Sequence, residues 1–217
     1  MANLDWNVGR LLEALERNGV LDNTLVIMTT EHGRTWEDRP GTAEGLCISY
    51  EETARIPLLM RYPKRLPAGK VWQSGVSLVD LMPTILDVAG VSPVLGAHPS
   101  PKRPVIHGRS LVPLVNSGRD TWDRPMVIEN IPQKAIDGSL FDERALRTER
   151  YKLILRSFDL RPEFRPGELY DLQTDPGEKQ NLFASRPDLR KQLAAQLGEW
   201  GRAHKDELAV ELAENVN

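Results

Sequence analysis

Thr24-Leu25-Val26-Ile27-Met28-Thr29-Thr30 runs straight into Glu31-His32-Gly33, and a polar loop later the chain reads Tyr50-Glu51-Glu52-Thr53-Ala54-Arg55-Ile56-Pro57, leading into IPLLMRY, Ile56 to Tyr62. The first run is β-branched and apolar, so it reads as a buried strand, and Gly33 bends the chain at its end. A carboxylate and an imidazole at such a strand end are what a metal site at a sheet edge requires. The bland alternative for the same tripeptide is a solvated strand end. Tyr50 to Arg55 reads as a short polar helix feeding the second strand.

Working outward, residues 5 to 18 place Val8, Leu11, Leu12 and Leu15 on one helical face, with Gly19 as the stop. Helix, strand, short helix, strand is the alternation expected of a parallel sheet covered by helices. Val76 to Gly90 (VSLVDLMPTILDVAG) is the clearest helix. Ser77 and Asp80 have capping-box spacing, but Asp80 as the cap places Pro83 in the first turn, where a missing N–H costs nothing, and this reading is preferred. Leu81, Met82, Ile85, Leu86 and Ala89 then make the buried stripe.

A proline-rich stretch from Ser92 to Pro104 is a surface loop, after which the pattern changes. The short runs MVIEN, RALRT, YKLILR and ELYDL imply an antiparallel sheet. In Asp175-Pro176-Gly177, proline fixes φ and glycine accepts the positive φ of a turn. Asp188 to Leu208 reads as a terminal helix, with residues beyond Val210 frayed. The division expected is residues 1–118 as an α/β portion and 119–217 as a small antiparallel-sheet subdomain with its helix.

The 217 residues carry 28 basic and 31 acidic side chains, a net charge of −3, and 40% apolar residues. No block of like charge occurs, so neither nucleic acid nor a membrane surface is implied as partner. No apolar stretch is long enough to span a bilayer. The opening residues lack a basic region followed by an apolar one, which as written places the chain in the cytoplasm. Cys47, in Leu46-Cys47-Ile48-Ser49, has no pairing partner and an apolar setting that does not activate a thiol. His98, His107 and His204 lack neighbouring ligands and read as surface or packing residues.

Together these stretches resemble the sulfatase family. Its usual form here is Ser-Asp-His-Gly or Ser-Asp-Asn-Gly, then a lysine, then Tyr-Glu-Glu-Ser-x-Arg-x-Pro. Val76 to Leu86 looks like the helix that follows the metal region in that family, and Arg147 to Ile154 looks like its late strand pair. Glu168-Leu169-Tyr170-Asp171-Leu172, Asp175-Pro176 and Glu178 to Leu182 match its closing segment. In this late region Tyr151 and Tyr170 read as core anchors, Asp171 and Asp175 as turn formers.

The resemblance implies the C-terminal portion of an alkaline-phosphatase-like α/β fold, a mixed sheet flanked by helices, then a small antiparallel sheet with a C-terminal helix. It also implies hydrolysis of sulfate esters, small-molecule or glycan, with a divalent metal, usually calcium, and places Glu31 and His32 at the metal position. Complete members are often exported.

This sequence departs from the family pattern in four ways. The nucleophile motif Cys/Ser-x-Pro-x-Arg is absent: Cys47 is followed by Ile48-Ser49-Tyr50, and Ser185-Arg186-Pro187-Asp188-Leu189 lacks the arginine. The family's early Asp-Asp pair is absent too, so the chain is expected to begin late and to associate with a missing N-terminal segment. Glu31 replaces the usual Asp. No lysine precedes Lys64, leaving Arg34 or Arg39 as the nearby cations, and a guanidinium fork is not a point ammonium. Two other readings therefore stand beside a sulfatase portion: a noncatalytic remnant or interaction module, and a phosphate or phosphonate monoester hydrolase of the same superfamily.

Overall fold

The structure is a computed structural model, and it describes residues 2–34, 49–92, 106–120, 124–134, 140–157 and 167–216. Cys47, His98, Arg39 and most of the proline-rich loop lie outside the described residues. Two compact units form: Met1–Thr29 with Pro57–Thr121, and Thr30–Ile56 with Trp122–Asn217.

In the first unit, helix α1 (Ala2–Arg17) and a 3-10 turn (Leu21–Asn23) precede strand β1 (Val26–Thr29). After helix α2 (Glu51–Ala54), which lies in the second unit, the chain returns as strand β2 (Leu58–Arg61). Strands β1 and β2 pair antiparallel, from Val26 opposite Arg61 to Thr29 opposite Leu58. This corrects the parallel arrangement expected from the alternation.

A 3-10 turn (Leu78–Asp80) runs into helix α3 (Leu81–Val88), and helix α4 (Val112–Asn116) follows. Ser77, not Asp80, starts the turn: Ser77 and Asp80 form the reciprocal capping box, Ser77 N donating to Asp80 Oδ2 at 2.9 Å. Asp80 is fully buried because its other oxygen accepts from Arg109 N at 2.9 Å. The buried face of α3 is also not the apolar stripe. Pro83 and Thr84 are inside, Thr84 Oγ1 donating to Asp80 O at 2.6 Å and accepting from Leu111 N at 2.9 Å, while Met82 and Ile85 are exposed. Periodicity located the helix, but hydrogen bonding to the 109–111 segment chose its inner face.

The second unit is built on a four-stranded antiparallel meander in sequence order, as expected: β3 (Met126–Lys134), β4 (Leu140–Arg147), β5 (Tyr151–Arg156) and β6 (Gly167–Asp171). A β-bulge interrupts β3 against β4 between Asn130 and Gln133. Strand alternation gives the sheet two different faces. Leu146, Leu153, Leu155 and Leu169 pack against helix α5 (Pro187–His204) and helix α6 (Glu207–Glu214) through Leu193, Ala194, Leu197, Ala209 and Leu212. On the opposite face Ala145, Ile154 and Tyr170 cluster with Tyr50.

Residues beyond Val210 are helical and packed, not frayed: Leu212 and Val216 belong to the core. The terminal helix breaks at Lys205, which is left-handed at φ 61°, and Asp206 caps α6 by accepting from Ala209 N at 2.9 Å. His204 serves packing, stacked on Trp200 with centroids 4.5 Å apart. In the Asp175-Pro176-Gly177 turn, the left-handed residue is Glu178, at φ 51°, rather than the glycine.

Candidate metal centre

Glu31, at a bend, and His32 follow the end of β1, and their side chains stay largely open, at 80% and 48% exposure. His32 Nδ1 lies 2.6 Å from Gly33 O. A carbonyl only accepts, so Nδ1 carries a proton; in the neutral ring this leaves the Nε2 lone pair for a ligand, the arrangement found in metal-ligating histidines. That Nε2 is 3.7 Å from Glu31 Oε1. Thr30 Oγ1 donates to Glu31 Oε2 at 3.1 Å. A backbone hydrogen bond, the Thr30 hydroxyl and the adjacent imidazole hold the Glu31 carboxyl below its ordinary range. A carboxylate and an imidazole nitrogen thus face each other. This donor set fits a divalent cation, although among the described residues no third His, Cys, Asp or Glu joins them.

What holds this pair is backbone. Gly33 N donates to Thr53 O at 2.8 Å and Arg34 N to Glu52 O at 3.1 Å, laying residues 33 and 34 along α2. A Cβ at position 33 would overlap the Glu52 carbonyl, so glycine is required there. The Arg34 side chain is exposed at the same place.

Helix α2 is in turn fixed by a buried charged face of the meander, to which the sequence reading assigned no role. Lys152 Nζ contacts Glu51 Oε1 at 2.7 Å and Glu178 Oε1 at 3.0 Å, and Arg147 reaches Glu51 at 3.5 Å. Glu178 Oε2 accepts from Glu51 N at 2.7 Å. Beside this cluster, Arg156 bridges Glu143 at 2.9 Å and Glu168 at 2.7 Å. Glu168 also accepts from Tyr50 Oη at 2.7 Å and Tyr170 Oη at 2.8 Å, while Ser49 N donates to Glu143.

Burial alone would raise every carboxyl here. At Glu168 the Arg156 charge and the two phenols outweigh it, and at Glu51 Lys152 and Arg147 do, so both end below their ordinary values. At Glu178 burial wins and the carboxyl is raised. Burial also pushes the Tyr50 phenol up to about 12. The signal available in sequence was the alternation of YKLILR, which puts Lys152 and Arg156 on the same face as Ile154; nothing local indicated that this face is covered.

An antiparallel ribbon with helices, an antiparallel meander covered by helices, and the superposition on a solved protein of this architecture define the class as alkaline-phosphatase-like. Within it, the chain belongs to the sulfatase family. Residues 47–203 match the family model described as N-sulphoglucosamine sulphohydrolase, C-terminal, and residues 1–91 match the one described as sulfatase. Among curated relatives, an N-acetylglucosamine-6-O-sulfatase of Bacteroides thetaiotaomicron is 34% identical over 94% of this chain and 34% of its own length. A choline-sulfatase of Rhizobium meliloti is 32% identical over 82% of this chain and 31% of its own length. A protein solved in complex with its substrate D-glucosamine-2-N,6-O-disulfate superposes with a TM-score of 0.75 at 30% identity, covering 94% of this chain and 39% of that one. The chain thus spans about a third of the length of these relatives. Sulfatases use a divalent metal.

Proposed function

We propose that this chain contributes to the active site of a sulfuric ester hydrolase acting on a sulfated sugar, with Glu31 and His32 among the donors to a divalent cation, calcium by family resemblance. The observation that carries the reading is the His32 geometry, Nδ1–H spent on Gly33 O and Nε2 turned toward the Glu31 carboxylate at 3.7 Å. The sulfated sugar as substrate class is supported by the complex of the structural relative and by the name of the 34% identical one. A bound divalent cation supplies Lewis-acid polarisation of the sulfate oxygens and offsets their charge.

The residues of this chain hold that chemistry in place. Gly33 O fixes the imidazole tautomer, Thr30 orients the carboxylate, and the ionised Glu31 stays acceptor-only at neutral pH. These 217 residues contain no Cys/Ser-x-Pro-x-Arg, so the covalent step is not theirs. The test is saturation-transfer NMR of D-glucosamine 6-sulfate against the protein with and without calcium. Transfer that needs calcium and disappears in His32→Ala is expected. Calcium-independent transfer, or stronger transfer to D-glucosamine 6-phosphate, would overturn the proposal, the second result favouring a phosphate ester hydrolase.

A further inference from the structure

Glu178 is built at a cost that its own turn does not explain. It adopts φ 51°, a region L side chains rarely occupy, although the neighbouring Gly177 could have taken that conformation. Its carboxylate is fully buried, and buried ion pairs are seldom retained for net stability, since an apolar pair of similar size often does as well. What the strained conformation achieves is delivery of two oxygens. Oε2 accepts from Glu51 N at 2.7 Å, a first-turn N–H that has no partner within a helix, and Oε1 meets Lys152 Nζ at 3.0 Å. Glu178 is therefore a cap for α2 supplied from a loop 127 residues away.

Helix α2 needs such a cap. A single turn of four residues does not hold itself in water, because nucleation is unfavourable. Its Thr53 and Glu52 carbonyls are the acceptors for Gly33 N and Arg34 N, the residues immediately after His32. Each of these steps passes through a backbone group: the Glu178 carboxylate accepts from Glu51 N, the α2 carbonyls accept from Gly33 N and Arg34 N, and Gly33 O accepts from His32 Nδ1.

We infer that Glu178, oriented by Lys152, is a positioning residue for the Glu31–His32 pair, acting through α2 and not through any contact with a ligand. Its functional meaning rests on the reading of that pair as metal donors; the mechanical claim does not.

Two variants separate these claims. Lys152→Met/Glu178→Leu removes the cap without leaving an unpaired ammonium, whereas Glu178→Gln keeps an oxygen for Glu51 N and the same shape. Native-state hydrogen exchange on the full chain should show Gly33 and Arg34 amides exchanging at least about tenfold faster in the double variant than in Glu178→Gln, with the core amides of Leu193 and Leu197 unchanged. Equal rates at Gly33 and Arg34 in the two variants would overturn the inference. So would a parallel loss of protection at Leu193 and Leu197, unfolding included, because Glu178 would then serve global stability only. Manganese added to each sample tests the dependent step through paramagnetic broadening of the Gly33 amide. Broadening in the wild type that weakens in the double variant joins positioning to metal binding. No broadening in the wild type removes the metal reading and leaves the exchange result to decide positioning.

Discussion

Gly33 carries a larger share of the site than its size suggests. Its missing Cβ admits the Glu52 carbonyl, and its own carbonyl sets the His32 tautomer. Gly33→Ala should cost about 1–3 kcal/mol, as overpacking against backbone does, read as a lower midpoint in urea. Glu168 is a buried residue on which pH acts. Its folded carboxyl is lowered below the unfolded value, so it contributes stability that is present above the unfolded carboxylate range and is lost as pH falls through the folded one. Stability of the wild type should therefore hold from neutral pH down to the ordinary carboxylate range and drop below it, and Glu168→Gln should flatten that acid limb. An unchanged limb in that variant would remove Glu168 from the acid response. At neutral pH, Glu168→Ala strands Arg156 between one carboxylate and two phenols and should cost about 3–5 kcal/mol.

At the scale of elements, the end of the chain gives a clean test. Asp206 caps α6 through Ala209 N and also accepts from Arg144 Nε at 2.6 Å, so Asp206→Ala loses a cap and a partly buried ion pair. About 2 kcal/mol or somewhat more is expected by chemical denaturation, above the ~1 kcal/mol of a cap alone. The meander was legible because MVIEN, RALRT, YKLILR and ELYDL alternate and follow one another without a helical pattern between them. The second half of the terminal helical region was not: Leu208, Leu212 and Val216 repeat at helical spacing, but Lys205-Asp206 looks like a tail and in fact turns the chain so that the next helix packs. Glu31 and His32 could be proposed from sequence because the strand end and Tyr50 to Pro57 flank them. Glu143, Lys152, Arg156, Glu168 and Glu178 could not, since burial of a charged face depends on what covers it, and the cover comes from about a hundred residues earlier.

On the scale of the whole chain, the two units differ in how well they bury themselves. Leu4, Trp6, Leu11, Met28, Leu59, Met82 and Ile85 are large apolar side chains exposed in the first unit, whereas the meander and its helices hold a closed core. Among the described residues both strands of the short β1–β2 ribbon are edges, which together with apolar surface is an association hazard. Light scattering of the chain at increasing concentration should show association; a monodisperse monomer throughout would contradict this account. The claim on which the functional reading depends is narrower, that Glu31 and His32 bind a divalent cation. Calorimetric titration of calcium, and of manganese in parallel, into the wild type, Glu31→Ala and His32→Ala measures it directly. A saturable one-site isotherm that either substitution abolishes is predicted, and no binding, or binding that survives both substitutions, would contradict it.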